Sequence, residues 1–238
     1  MVDEPALRDR TFVFRDRLHA GEMLAEKLRE VLGEKRGLVL AIPAGGVPVG
    51  SVVANRLGFT LDVAVVRKVQ VPWNTEAGYG AVSWDGTVLL NELFVAQLGL
   101  DDRTVQLGIS KTRRVVEERF RRFRGDRPIF KTGGETVVIV DDGLASGFTM
   151  LVAVTSVRKL NPSRVVVGVP TAPVSAVDLV APEVDLLVCL NVRGGPVFAV
   201  ADAYKRWYDL SDEEVESILR KGWAAPSSKG FGGTPESG

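Results

Sequence analysis

The sequence contains almost none of the residues that build disulfide frameworks and zinc sites. Its 238 residues include one cysteine, Cys189, and one histidine, His19. A single cysteine excludes an intrachain disulfide framework and favours a reducing compartment. Because Cys189 lies within the apolar run 185–191, the pattern predicts a buried, inert thiol and not a nucleophile. His19 has no cysteine or second histidine near it, which argues against a zinc site.

The sequence also lacks a net charge and a long apolar run. Thirty Lys and Arg residues balance thirty Asp and Glu residues, so any site for an anion must be local. Residues 1–10 are charged and have no apolar centre of the kind that a signal peptide needs, and no uncharged stretch is long enough to cross a membrane. We therefore expect a cytoplasmic protein that binds neither nucleic acid nor a membrane.

Short apolar runs alternate with amphipathic stretches along the chain. The runs are rich in β-branched residues and lack a polar–apolar alternation, as in strands that are buried on both faces. They span residues 37–42, 61–66, 136–140, 165–169 and 184–190. Helical patterns lie between them, at 20–32, 47–57, 148–160 and about 174–180. This order predicts an α/β fold with a doubly wound, mostly parallel five-stranded sheet.

The interval between the second and third runs is too long for one crossover connection. We predict an insertion at about 70–130, with a hairpin turned at Asp85-Gly86 and a long helix over 101–124. The basic face of that helix is interpreted as a solvated surface and not as an anion site. Residues 1–223 are predicted to form a single domain with a small C-terminal hood at about 191–222. Residues 224–238, rich in Pro, Ser and Gly, are predicted to form a flexible tail.

Two adjacent acids follow the third apolar run. Asp141 and Asp142 come directly after this run, which places them at the carboxyl edge of the predicted sheet, where open α/β sheets bind ligands. A loop of small residues then leads into the next helix. Its backbone N–H groups, the hydroxyls of Ser146 and Thr149 and the helix N-terminus together favour a phosphate group. The alternative is a tight strand–helix connection in which the two acids only begin a turn.

The segment 137–149 resembles the motif that binds 5-phosphoribosyl-1-pyrophosphate (PRPP) in type I phosphoribosyltransferases. The resemblance implies that Asp141 and Asp142 are the catalytic pair that contacts the ribose hydroxyls. It also implies a loop for the 5′-phosphate, made of Leu144, Ala145, Ser146, Gly147, Phe148 and Thr149. The same motif occurs in PRPP synthetases and in regulatory proteins of this fold.

Two further stretches are similar to the same family. Small residues at 41–50 follow the first strand, where the family has a pyrophosphate loop. That loop corresponds to Ala44, Gly45 and Gly46. Arg67 and Lys68 end the predicted second strand, where the family places basic residues near the same pyrophosphate. The resemblance to an uncharacterised branch of phosphoribosyltransferases covers about residues 14–219.

A dinucleotide-binding turn is the alternative interpretation of the glycines at 45–50. Their spacing does not follow G-x-G-x-x-G. A dinucleotide site also needs an acid after the second strand to bind the ribose, and Arg67 and Lys68 stand there. The sequence therefore favours the pyrophosphate loop.

The resemblance implies an enzyme that uses Mg²⁺ and transfers 5-phosphoribosyl from PRPP to a nucleobase or similar small acceptor, with release of pyrophosphate. Mg²⁺ in such sites is held mainly through ligand oxygens and water, so neither acid is assigned as a direct metal ligand. The hood offers Phe198 and Tyr204 for stacking on the base, with core packing as an equal alternative for both. The resemblance also implies a homodimer.

One residue of the motif departs from part of the family. Enzymes that act on 6-oxopurines generally have an Asp where this chain has Ala145, and alanine has no proton to transfer. The resemblance therefore implies a different acceptor or an acid–base group from elsewhere. The alternative function is a regulatory protein that binds PRPP or a nucleotide without turnover.

Overall fold

The computed structural model describes residues 1–33 and 36–224, in which strands and helices alternate. The strands are β1 (Val2–Asp3), β2 (Gly37–Ala41), β3 (Thr60–Val63), β4 (Val66–Val71), β5 (Asn74–Ser83), β6 (Val88–Leu90), β7 (Thr136–Val140), β8 (Arg164–Pro173) and β9 (Leu186–Arg193). The helices are α1 (Arg17–Leu32), α2 (Gly46–Leu57), α3 (Glu92–Gln97), α4 (Asp102–Arg124), α5 (Phe148–Arg158), α6 (Val174–Val180) and α7 (Asp212–Ala224). Six strands form a parallel sheet in the order β1-β9-β8-β7-β2-β3, and β4-β5-β6 form an antiparallel sheet.

Both faces of the central sheet are covered by helices. Every residue of β2 and β7 is buried. Val39 of β2 belongs to the core shared with α1 and α2, whereas Leu38 and Leu40 belong to the core shared with α5 and α6. Because side chains alternate along a strand, a continuous apolar run needs an apolar layer on each side. The predicted α/β fold with a mainly parallel sheet is confirmed.

The central sheet has one strand more than the five predicted. Val2 and Asp3 pair in parallel with Val188 and Cys189 at the edge of the sheet. A strand of two residues has no periodicity that a sequence pattern could reveal. The buried position of Cys189 agrees with the predicted inert thiol, and burial raises its pKa to about 12.

The apolar run 61–66 divides between the two sheets. β3 ends at Val63 in the central sheet, and β4 begins at Val66 in the antiparallel sheet. Arg67 and Lys68 therefore lie inside the first strand of the insertion and not at the end of the second central strand. The sequence prediction of their position is corrected because a run of apolar residues does not show where a chain changes sheets.

The insertion contains the predicted hairpin and the predicted long helix. β5 and β6 pair antiparallel, and Gly86 in the turn between them has a φ of 83°, a conformation that glycine adopts readily. α4 packs against β4 and β5. Its basic face is solvated only in part, because Arg119 and Arg122 form ion pairs with Asp212 of α7.

The chain after β9 packs against the segment that precedes α1. The N–H of Phe14 donates to the carbonyl of Ala203 at 2.9 Å, and the N–H of Lys205 donates back to the carbonyl of Phe14 at 2.8 Å. The predicted hood is therefore held by the N-terminal segment, and its last helix, α7, packs against α2. Residues 225–238 of the predicted tail lie outside the described residues. None of the helices in the described ranges is long and apolar enough to span a membrane.

Candidate active site

The two acids of the motif stand at the carboxyl end of β7, where their carboxyl groups interact with each other. Asp141 lines a cavity of about 340 Å³ together with the loop 143–149. Asp142 is only 9% exposed and does not line this cavity. Of the pair, Asp141 alone lines this cavity in the structure, and the expectation that both acids contact a ribose stays a prediction.

A buried ion pair holds the carboxylate of Asp142. Arg17, the first residue of α1, donates from Nε to Asp142 Oδ2 at 2.8 Å, and the two side chains are 8% and 12% exposed. Arg17 Nη1 donates to the carbonyl oxygen of Tyr208 at 2.8 Å, and the guanidinium lies 3.9 Å from the centroid of the Trp207 ring. Arg17 therefore ties the end of β7 to the hood.

The N-terminus of α2 approaches the same acids closely. A Cβ atom at residue 45 would overlap the carboxylate of Asp142, and one at residue 46 would lie 2.7 Å from the carbonyl oxygen of Val140. Only glycine permits such an approach. The structure thus brings the predicted pyrophosphate loop, Ala44 to Gly46, against the end of β7. The glycines are required for this packing, whatever else their amides bind.

The predicted phosphate loop connects β7 to α5 at this edge. Gly147 precedes α5 with a φ of 79°, in the left-handed region that L side chains rarely adopt. The N–H of Leu144 donates to the carbonyl of Thr171 at 3.0 Å, which anchors the loop on β8. Ala145 and Ser146 are exposed, and within the described part of the chain the N–H groups of residues 145–147 donate to no backbone carbonyl. Such open donors at a helix N-terminus suit an anion.

The structure places Arg67 and Lys68 in two different cavities. Lys68 lines the 340 Å³ cavity, as do Phe148 and Thr149 of the loop. Arg67 lines a second cavity between the β4–β5 hairpin and α4. Consecutive residues of a strand point to opposite faces, so the two side chains lie on opposite sides of β4. Lys68 alone is placed beside the loop, and a contact of Arg67 with the pyrophosphate stays a prediction.

Of the two aromatic residues expected to stack on a base, Tyr204 belongs to the core. It is 1% exposed, its ring centroid lies 5.1 Å from that of Trp207, and its hydroxyl donates to the carbonyl oxygen of Asp142 at 2.6 Å. Tyr204 therefore positions the end of β7 and offers no face to a ligand. Phe198 is half-buried, lies 5.9 Å from the Arg193 guanidinium and does not line the 340 Å³ cavity.

Burial dominates the electrostatics of this edge. Burial raises the pKa of Asp141 well above its ordinary value, and the adjacent carboxylate of Asp142 raises it further. Burial also raises the pKa of Asp142, although the Arg17 guanidinium opposes that rise. Two carboxyl groups thus share one buried counter-charge. A ligand that brings a cation to Asp141 would stabilise its ionised form.

Comparison with known proteins agrees with this geometry. The family model of the phosphoribosyl transferase domain matches residues 16–180, a span that holds Arg17, Lys68, the acids and both loops. The chain belongs to this family. The match covers most of the central sheet and ends with α6, so it leaves out the hood.

Two curated relatives and one solved structure are similar to this phosphoribosyl transferase family member. The relatives are Rv0571c and MT0597 of Mycobacterium tuberculosis, from strains H37Rv and CDC 1551, and both are provisionally assigned as phosphoribosyl transferases. Each is 38% identical over 207 residues, which is 87% of this chain and 46% of the relative. This chain thus spans about half the length of the curated relatives it matches.

The similar solved structure is that of TT1426 from Thermus thermophilus. It is 39% identical to this chain, with a TM-score of 0.72, and the match covers 87% of this chain and 98% of that chain. A similar fold therefore covers 87% of this chain in a second protein.

The place of Arg17 and Trp207 beside the acids was not predicted from the sequence of this phosphoribosyl transferase family member. Arg17 is one of many arginines along the chain, and no motif includes it. One signal was present: α1 precedes β2, so its N-terminus must lie at the carboxyl edge of a parallel sheet, near the acids. Trp207 had no comparable signal, because its contact with Arg17 joins segments that are 190 residues apart in sequence.

Proposed function

We propose that this chain binds PRPP in the 340 Å³ cavity and transfers its phosphoribosyl group to a small acceptor. The observation that carries the proposal is that Asp141, Lys68 and the open N–H groups of residues 145–147 lie around one cavity. This arrangement supports a ligand with a phosphate, neighbouring hydroxyls and a second anionic group. Membership of the phosphoribosyl transferase family supports the same ligand.

The 5′-phosphate would lie on the loop between Ala145 and Thr149. The loop N–H groups and the N-terminus of α5 supply donors and partial positive charge, and the hydroxyls of Ser146 and Thr149 add two further donors. Asp141 would accept hydrogen bonds from the ribose hydroxyls. Asp142 would act indirectly, because its ion pair with Arg17 and the bond from Tyr204 to its carbonyl fix the strand end that carries Asp141.

The pyrophosphate would lie between Lys68 and the loop that begins at Ala44. In the reaction the bond from the ribose C1 to the pyrophosphate oxygen breaks, and its electron pair leaves with the pyrophosphate. A lone pair of the acceptor forms the new bond to C1, and the acceptor loses its proton to solvent. Positive charge develops at C1 between these steps, and the negative charge of Asp141 would stabilise it.

Mg²⁺ fits this site through its ligand and not through a cage of side chains. No group of three or more His, Cys, Asp or Glu side chains suited to a metal occurs among the described residues. Asp141 is the carboxylate that lines the cavity, and magnesium commonly combines one carboxylate with phosphate oxygens and water. When bound, the ion would neutralise charge on the leaving pyrophosphate.

The acceptor is expected to differ from hypoxanthine and guanine. Ala145 is exposed at the loop and has no group that exchanges a proton. Of the two aromatic residues expected to stack on the base, Tyr204 is buried and Phe198 is half-buried. An acceptor that needs no acid from the loop, such as adenine, uracil or orotate, fits these residues better.

Binding of a nucleoside 5′-monophosphate tests the position of the phosphate site. A β-branched residue in place of Gly147 would be strained at a φ of 79°, and its Cβ would lie 3.2 Å from Val180 Cγ2. We expect Gly147→Val to abolish binding of PRPP and of a nucleoside monophosphate in calorimetry. Gly99→Val is the matched control, since Gly99 also has a positive φ of 63° but has no atom within 4 Å of a Cβ.

The control variant is expected to bind both ligands as the wild type does. Wild-type affinity in Gly147→Val would show that the phosphate lies elsewhere. Tight PRPP binding by the wild type without product from any acceptor would instead identify a regulatory protein of the same fold.

A further inference from the structure

A second cavity lies on the other side of the β4–β5 hairpin, against α4. Its volume is about 410 Å³, within the range of roughly 300–1,000 Å³ that is typical of small-molecule sites. Val71, Leu107 and Val115 give it apolar walls. The hairpin separates it from the phosphate cavity, because Lys68 lines one cavity and Arg67 lines the other.

Two cations line this second cavity and have no ion-pair partner among the residues that the structure describes. Arg67 projects from β4 and Lys111 from α4. Neither side chain forms an ion pair with any residue that the structure describes, although other cations of α4, such as Arg119 and Arg122, are paired with acids of α7. Two unpaired cations on facing elements create a local positive potential that favours an anion.

The floor of the cavity holds a buried hydroxyl without a partner. Tyr79 of β5 is 0% exposed and lines the cavity, and within the described ranges its hydroxyl has no hydrogen-bond partner. Buried hydroxyls nearly always have a partner, and phenylalanine would fill the same space without this cost. The hydroxyl oxygen is closed off from water against Gly108, so a ligand that completes this donor must displace the cavity wall there.

A glycine in α4 makes room for that hydroxyl. A Cβ atom at residue 108 would overlap the hydroxyl oxygen of Tyr79. Glycine in the interior of a helix is unfavourable relative to alanine, so its presence there has a structural cost. The Tyr79 hydroxyl thus lies beside Gly108 at the floor of the cavity. This arrangement is unfavourable for the helix, which contains a glycine, and for the hydroxyl, which lacks a hydrogen bond within the described ranges.

We propose that this second cavity is a binding site for a small phosphate monoester with an apolar body. The phosphate, which carries a charge of about −1.5 to −2 at pH 7, would pair with Arg67 and Lys111 and accept a hydrogen bond from Tyr79. The apolar body would pack against Val71 and Leu107. The site is independent of the proposed transfer reaction, because it lies on the opposite face of β4 from Lys68.

Phenyl phosphate is a suitable probe, because it combines a phosphate monoester with an apolar ring. The phosphate loop must first be disabled, and Gly147→Val does this by placing a β-branched side chain at a φ of 79°. In this variant we expect calorimetry to show one remaining site for phenyl phosphate. Inorganic phosphate is expected to bind that site more weakly, and phenol is expected not to bind.

Three further variants, made in the Gly147→Val background, assign the remaining site. Replacing both Arg67 and Lys111 with Met is expected to weaken the binding of phenyl phosphate by at least about 100-fold, roughly tenfold for each lost charge-assisted contact. Tyr79→Phe is expected to weaken it by a smaller factor. Arg114→Met, which removes an exposed cation of α4 outside the cavity, is the control and is expected to leave the affinity unchanged.

Two results would overturn the proposal. One is the absence of phenyl phosphate binding in a folded Gly147→Val protein. The other is an affinity that changes less than twofold when Arg67 and Lys111 are replaced. Equal affinity for phenyl phosphate and inorganic phosphate would overturn the assignment of an apolar body.

Discussion

Replacement of Arg17 with Met is expected to destabilise the fold strongly. The side chains of Arg17 and Asp142 are 8% and 12% exposed, so solvent screens their interaction little. Removing one partner of a buried ion pair typically costs about 3–5 kcal/mol, because the other charge stays buried. For a chain of this length each kcal/mol lowers the melting temperature by about 2–4 °C, which gives an expected fall of about 6–20 °C in Arg17→Met.

The loss of stability is also expected to depend on pH. Burial raises the pKa of Asp141 and of Asp142 in the folded state, and Arg17 opposes that rise. A carboxyl whose folded pKa is raised favours folding when it is protonated, and this contribution is lost as the pH rises above the unfolded value. Without Arg17 the folded-state pKa values of Asp141 and Asp142 rise further. Arg17→Met should therefore lose more stability at pH 8 than at pH 5.

Thermal unfolding of the wild type and three variants at both pH values measures the effect. In Arg17→Met with Asp142→Asn the buried charge is removed, so the double variant is expected to be more stable than Arg17→Met alone at pH 8. Arg15→Met is the control, since Arg15 lies 3.8 Å from Glu22 in a pair that is 64% and 40% exposed. Exposed pairs contribute about 0–1 kcal/mol. A melting temperature of Arg17→Met within 2 °C of the wild type, or equal losses of stability at both pH values, would show that Arg17 does not stabilise the fold by neutralising Asp142.

Three further predictions concern other residues. Lys68→Met should weaken PRPP binding by about 1.5–3 kcal/mol in calorimetry and leave the binding of a nucleoside monophosphate unchanged, whereas Arg67→Met should change the binding of neither ligand. Equal losses of PRPP affinity in both variants would show that Arg67 also contacts the pyrophosphate. Ala145→Asp should raise steady-state turnover of hypoxanthine and guanine by up to about 10²–10⁴-fold, and robust wild-type turnover that the substitution leaves unchanged would disprove the role of that position. Gly108→Ala should lower the free energy of unfolding by about 1–3 kcal/mol, because the new Cβ would clash with the Tyr79 hydroxyl. Adding Tyr79→Phe to this variant should restore most of the lost stability. A Gly108→Ala protein more stable than the wild type would contradict the clash.

The sequence predicted the central sheet well because burial on both faces leaves long apolar runs. The run 136–140 coincides with β7, and the helical pattern at 174–180 coincides with α6. The run 61–66 was misleading, since its two halves belong to different sheets. Nothing in a continuous apolar run distinguishes one strand from two that meet at a bend.

The candidate site was predicted in its position but not in its side-chain directions. The motif placed Asp141 and the phosphate loop at the carboxyl edge, because that edge follows from the order of strands and helices. The sequence could not show that Asp142 turns inward to Arg17, or that Arg67 and Lys68 face different cavities. These directions depend on pleat and register, which long-range packing decides.

Release of pyrophosphate from PRPP is the most direct test of the proposed reaction. The chain should be incubated with PRPP, Mg²⁺ and, one at a time, adenine, uracil, orotate, hypoxanthine and guanine. We expect pyrophosphate release that depends on the acceptor with at least one of adenine, uracil and orotate, and no release in Gly147→Val. PRPP binding without release for every acceptor, or release that persists in Gly147→Val, would contradict it.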